Sequence, residues 1–159
     1  MTPEEFETKL LSLGLVLTTT LVRDDFDGHS GNSVHACTVV RNGASLTIDF
    51  HQGCSHRHYR NGAPIRFNYL NGKYTVDQIN RYKQTIPNNP SLSDVMQAIV
   101  SDAQCVADGQ TFEEFAEQLG YDKDSRRAER AYNSCRDEYF GLLRLGVDLD
   151  ELCRLFEGY

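Results

Sequence analysis

VHACTVVRNGASLTIDF, residues 34 to 50, sets Asn42-Gly43 between two runs rich in β-branched residues. Asn and Gly tolerate the positive φ that both central positions of a type I′ turn require, and that turn's twist matches the twist of paired strands. The spacing predicts a two-residue hairpin joining Val34–Arg41 to Ala44–Phe50. In the second arm Leu46, Ile48 and Phe50 alternate with Thr47 and Asp49, which gives one apolar face and one wet face. Upstream, Val16–Val22 holds three consecutive Thr among aliphatics and reads as a further strand. A polar, glycine-containing loop, residues 24–33, separates it from the hairpin. Before it, Thr2-Pro3-Glu4-Glu5 has the form of a capped helix start, Phe6, Leu10 and Leu13 share one face, and Gly14 closes the helix. Residues 1–56 therefore read as one helix on a small antiparallel sheet.

From Pro90 onward the periodicity changes from two to 3.6. Ser91 with Asp94 opens a helix whose stripe is Leu92, Val95, Met96, Ile99, Ala103 and Val106. Thr111 with Glu114 forms a second capping box, ahead of Phe112, Phe115, Ala116 and Leu119, and Gly120 breaks that helix. Asp122 or Asp124 is expected to cap the longest helix, with Ala128, Ala131, Tyr132, Cys135 and Leu142 inward. Asp148 with Glu151 opens a last helix presenting Leu149, Leu152, Cys153 and Phe156. The expected class is α+β: an N-terminal helix with a small antiparallel sheet, then a helical module over residues 90–159 packed on that sheet. Residues 57–89 lie between them, with a second hairpin signal at Asn71-Gly72 and a short helix expected from Thr75 to about Gln84.

The chain has 159 residues, enough to bury roughly 70% of its unfolded surface without help from a metal or disulfide. No apolar run approaches the roughly 20 residues of a membrane span. The start, MTPEEFETKL, lacks the basic-then-apolar layout of a signal peptide, so the expected location is the cytoplasm. Five cysteines without a CxxC pair are expected as reduced thiols, with Cys105, Cys135 and Cys153 acting as small buried apolar groups. The sequence does not set the oligomeric state.

The net charge of −7 is unevenly spread. Residues 1–56 carry three bases against seven acids, and residues 90–159 seven against fifteen. Between them, residues 57–89 carry six bases against Asp77 alone. Interleaved with aromatics, Arg57, Arg60, Arg66, Lys73 and Tyr69 suit phosphate contact and base stacking, which makes nucleic acid one candidate partner. The acidic helices support a different reading. Asp94, Asp102, Asp108, Glu113, Glu114, Glu117, Asp122, Asp124, Glu129, Asp137 and Glu138 are expected on helix surfaces, where they resemble a ladder of phosphates. Such a face steers toward the basic groove of a nucleic-acid-handling protein. Glu113, Glu114, Glu117, Asp122 and Asp124 are its expected centre.

HQGCSHRH, residues 51–58, brings together His51, Cys54, His56 and His58, the ligand types of a structural zinc site. Their spacing fits no familiar one, so a bulge at Gln52-Gly53 is expected and no metal or other cofactor. The loop at Asp122 and Asp124 fails as a calcium loop, because its fifth, sixth and twelfth positions are Arg126, Arg127 and Asn133. No nucleophile, phosphate-loop or metallohydrolase motif is present, so a Cys/His- or metal-dependent hydrolase rests on Cys54 and its neighbours alone.

Phe112-Glu113-Glu114-Phe115, then Gly120-Tyr121-Asp122, Asp124-Ser125-Arg126-Arg127-Ala128, Tyr132 and Cys135 resemble a module of small bacteriophage and prophage proteins, with Arg127 where Lys is usual. The resemblance also extends to Phe50, Gln52, Gly53 and His56. It implies that residues 57–89 elaborate a shorter connection. It further implies an accessory phage protein that acts without catalysis in the host cytoplasm, binding and inhibiting a host protein such as a defence nuclease complex in the manner of anti-CRISPR or antirestriction factors.

Overall fold

A computed structural model describes residues 1–24, 32–53, 59–60, 63–64 and 90–158. In chain order these form α1 (Pro3–Ser12), β1 (Val16–Asp24), β2 (Asn32–Arg41), β3 (Ala44–Gly53), the two-residue strands β4 (Tyr59–Arg60) and β5 (Ala63–Pro64), α2 (Leu92–Ala107), α3 (Phe112–Gln118), α4 (Arg126–Leu145) and α5 (Leu149–Glu157). The class is α+β. The hairpin expected at Asn71-Gly72 and the helix expected from Thr75 lie outside the described residues.

β1, β2 and β3 make an antiparallel meander in that order. Asn42 and Gly43 take φ of 50° and 81°, as the type I′ turn demands, and Arg41 faces Ala44 across it. Register between β2 and β3 runs unbroken to Asn32 opposite Gly53, so the bulge expected at Gln52-Gly53 is absent. A bulge occurs instead in β1, where the register shifts between Leu21 and Arg23. On the inner face Cys37 pairs with Ile48 and Val39 with Leu46, all buried. Their core continues through Phe6 and Leu10 of α1, Val95, Met96 and Ile99 of α2, Leu142 and Leu145 of α4 and Leu152 of α5. Sheet and helices thus share one core. The outer face carries Thr18, Thr20, Val40, Ser45 and Thr47, all exposed, with Thr38 and Thr47 joined hydroxyl to hydroxyl at 2.9 Å.

The helix starts follow the local code. Thr2 and Glu5, Ser91 and Asp94, and Thr111 and Glu114 each close a full capping box, and Asp148 accepts from the amides of Asp150 and Glu151. α4 departs from expectation. Its cap is Ser125, which accepts from the Ala128 amide at 3.3 Å, rather than Asp122 or Asp124. Ser125 stands three residues before Ala128, where its short hydroxyl reaches that amide directly. Two long-range ties complete the assembly. Glu7 of α1 accepts from the amides of Leu92 and Ser93 at 3.0 and 2.9 Å, covering the open N-terminus of α2. Arg41 donates to the Leu13, Leu145 and Gly146 carbonyls, where α1 and α4 end.

Gly120 and Gly146 close helices with φ of 74° and 69°. A Cβ at Gly120 would meet nothing within 4 Å, whereas one at Gly146 would lie 3.1 Å from Arg41 Nη1. Gly120→Ala is therefore expected to cost about 1 kcal/mol of backbone strain alone, and Gly146→Ala distinctly more. Urea unfolding of the two variants checks the order; an unchanged midpoint for Gly120→Ala would mean that the backbone does not turn left-handed there.

Candidate functional site

Residues 84–122 contain no Lys, Arg or His, yet they contain Asp94, Asp102, Asp108, Glu113, Glu114, Glu117 and Asp122. Its described part, residues 90–122, builds α2, α3 and the turns around them. α3 is a short helix held by one side. Phe115 and Ala116 are buried, and Phe115 packs with Cys105 of α2 and with Ala131 and Cys135 of α4. Tyr132 lies with its ring centroid 5.8 Å from that of Phe112 and 5.4 Å from that of Phe115, and its hydroxyl donates to the Gln110 carbonyl at 2.9 Å. The aromatic and thiol residues of the Phe-Glu-Glu-Phe to Tyr-x-x-Cys pattern are thus a packing unit that fixes α3 against α2 and α4.

With that side fixed, Glu113, Glu114 and Glu117 are exposed on the other, and Asp122 and Asp124 are exposed in the turn that follows. Glu114 has a second task, since its carboxylate accepts from the Thr111 amide at 2.8 Å to close the capping box. Between α3 and the end of α2 runs an open groove lined by Gln104, Asp108, Gln110, Glu114 and Gln118. Its amides are already ordered: Gln110 donates to Gln118 and Gln104 to Asp108, both at 2.9 Å. A rim of carboxylates and oriented amide oxygens is a set of acceptors, suited to the ammonium and guanidinium groups of a partner.

The acidic face is smaller than the sequence reading. Asp102 and Glu138 are 5% and 1% exposed, so they are not surface charges. Their carboxylate oxygens and the Cys135 thiol lie within 4.8 Å of one another between α2 and α4. Helical phase explains the placement. Asp102 follows Ile99 by three positions and Glu138 precedes Leu142 by four, so both sit on the buried stripes. The face also stops at α4, where Arg126, Arg127, Arg130 and Arg136 are exposed beside Glu129 and Asp137. What remains is a ridge of Asp108, Glu113, Glu114, Glu117, Asp122 and Asp124, with the exposed Lys123 between the last two.

The Cys153 thiol is held protonated. Burial, then the charges of Asp150, Glu157 and Asp108, pushes the Cys153 thiol up, and its Sγ donates to Gln104 Oε1 at 2.7 Å. Cys153 is half-buried at a second groove, between α2 and α5, rather than fully inside as expected. In the sheet, burial and then Asp49 push Cys37 up to about 12. Neither has the depressed pKa of a nucleophilic thiol.

The remaining sequence candidates are placed only in part. Arg57, Arg66, Tyr69, Lys73, Cys54, His56 and His58 lie outside the described residues, while the backbones of His51 and Arg60 lie on β3 and β4. No helix among the described residues is long and apolar enough to cross a membrane. Comparison with protein-family models, with curated proteins and with solved structures gives no match.

Proposed function

We propose that this chain is a non-catalytic binding protein that presents the α2–α3 ridge to a basic surface of a partner protein. One observation carries the reading: a stretch without a single basic residue folds into a rigidly anchored short helix whose free side is carboxylate. Arrayed acids on a fixed frame accelerate encounter with a positive groove and disfavour acidic competitors. The resemblance to phage modules supports a partner that handles nucleic acid in a bacterial host, with inhibition of a defence nuclease as the consequence.

The test reverses charge without touching a cap. Glu113, Glu117 and Asp122 are exposed and outside the capping box, so the triple variant Glu113→Lys/Glu117→Lys/Asp122→Lys is expected to keep the fold. Its retention of proteins from bacterial lysate is expected to fall roughly tenfold or more at low salt, and wild-type retention to fall as salt rises. Arg57→Ala/Arg60→Ala/Arg66→Ala is expected to keep retention. Oligonucleotide binding at physiological salt that is lost in the arginine variant and kept in the acidic-ridge variant would overturn the proposal in favour of nucleic acid.

A further inference from the structure

The described residues leave one side of β1 without a neighbouring strand, because the sheet order is β1-β2-β3. Natural edge strands are normally blunted by Lys, Pro or brevity. β1 is nine residues long, and from Val16 to Val22 it contains neither a charge nor a proline. Its apolar residues are open to solvent: Val16 is 55%, Leu21 39% and Val22 58% exposed. The blunting device present is the bulge after Leu21, which leaves Val16 to Leu21 in regular register.

The sequence of that span is VLTTTLV, the same read in either direction about Thr19. From this we infer that β1 pairs antiparallel with β1 of a second copy of the chain, on a two-fold axis through Thr19. In this register Thr19 faces itself, Thr18 faces Thr20 and Leu17 faces Leu21 within the regular stretch, and Val16 comes opposite Val22 at the bulge. Any strand can be set against its own copy, but only a palindrome gives like against like at every position. An isologous contact sets residue i against j and j against i, and here the palindrome makes each such pair one of like residues, Thr with Thr and Leu with Leu.

The two faces of the sheet agree with the axis. Thr18, Thr38 and Thr47 form one row across the outer face, in which Thr38 and Thr47 already share a hydrogen bond. Thr20 of the second copy extends that row with the same pairing chemistry. On the inner face Leu17 is half-buried and Leu21 exposed, so each Leu21 gains the Leu17 of the other copy as a cover. The result is a continuous six-stranded antiparallel sheet. The net charge of −7 opposes association, but no charge lies on the paired span, and repulsion between distant groups is screened beyond about 8 Å at physiological salt.

Sedimentation of the full chain at physiological salt tests this. At about 100 µM, where even a micromolar Kd is saturated, the wild type is expected at twice the 18.0 kDa chain mass. Two variants with equal numbers of new charges read the register. Thr18→Lys/Thr20→Lys sets like charges against each other across the axis and is expected to sediment as a monomer. Thr18→Lys/Thr20→Glu sets opposite charges against each other and is expected to remain a dimer. Both sites are exposed, and circular dichroism verifies the fold of each variant. A monomeric wild type overturns the inference whatever the variants do. A Lys/Lys variant that stays dimeric removes β1 from the interface, and loss of the dimer in both variants removes the Thr19 axis.

Discussion

Replacing Arg41 by alanine is expected to lower the stability of the fold by about 3 kcal/mol, a large share of the total for a chain of this size. Its Nε donates to the Leu13 carbonyl at 2.7 Å, and Nη1 donates to those of Leu145 and Gly146 at 2.7 and 2.9 Å. These are orphan acceptors at the ends of α1 and α4, and a cation there also meets the negative ends of both helix dipoles. Three charge-assisted bonds at roughly 1.5–3 kcal/mol each would sum higher, but the site is half-buried, so water can replace part of them after truncation. Arg41→Lys is expected to recover only a part, because one ammonium cannot span carbonyls from two helices as a planar fork does. Urea unfolding should show a lower midpoint at constant slope, and the melting temperature should fall by roughly 10 °C. An Arg41→Ala protein with an unchanged midpoint would mean that the three bonds contribute nothing.

Arg41 also marks where the sequence stops being readable. Caps at Thr2, Ser91, Thr111 and Asp148 are legible because each partner lies within three residues. The hairpin at Asn42-Gly43 is legible for the same reason. Arg41, by contrast, bonds across 28, 104 and 105 residues, and Glu7 reaches amides 85 and 86 residues away. Nothing local to Arg41 or Glu7 separates them from a surface charge. Asp122 and Asp124 misled in the opposite way, since acids near a helix start are common caps, and Ser125 stood one residue nearer.

The site was legible in composition and misread in phase. The acids of residues 84–122 could be counted, and Glu113, Glu114 and Glu117 are exposed where the helical period puts them. The rule that carboxylates face water puts Asp102 and Glu138 at the surface, although their spacing from Ile99 and Leu142 puts them inside. At those two positions helical phase was the better guide than charge. The anchoring of α3 by Tyr132 was beyond local pattern, because it depends on α4 folding back across Gln110.

Gly141 carries the other large effect expected in the core. It lies inside α4, in the C-terminal half, where glycine ordinarily costs about 1 kcal/mol relative to alanine. A Cβ built there would stand 2.5 Å from Leu46 Cδ1, 3.0 Å from Cδ2 and 3.1 Å from Cγ. α4 therefore rests directly on β3, with the backbone of Gly141 against a buried leucine. Gly141→Leu is expected to cost about 3 kcal/mol or more, since a full side chain must displace Leu46 from a close-packed core. For Gly141→Ala the gain in helix propensity and the overpacking of one methyl oppose each other, with a net loss of about 1 kcal/mol. Leu46→Ala alone should cost about 3 kcal/mol by leaving a cavity. The pair then separates contact from general fragility: Gly141→Leu/Leu46→Ala fills the space that each change disturbs, so its cost should fall short of the sum of the two singles by at least about 1 kcal/mol. Urea midpoints of the four proteins measure that difference. A Gly141→Ala variant more stable than the wild type, together with strictly additive effects in the pair, would mean that α4 and β3 do not meet at this point.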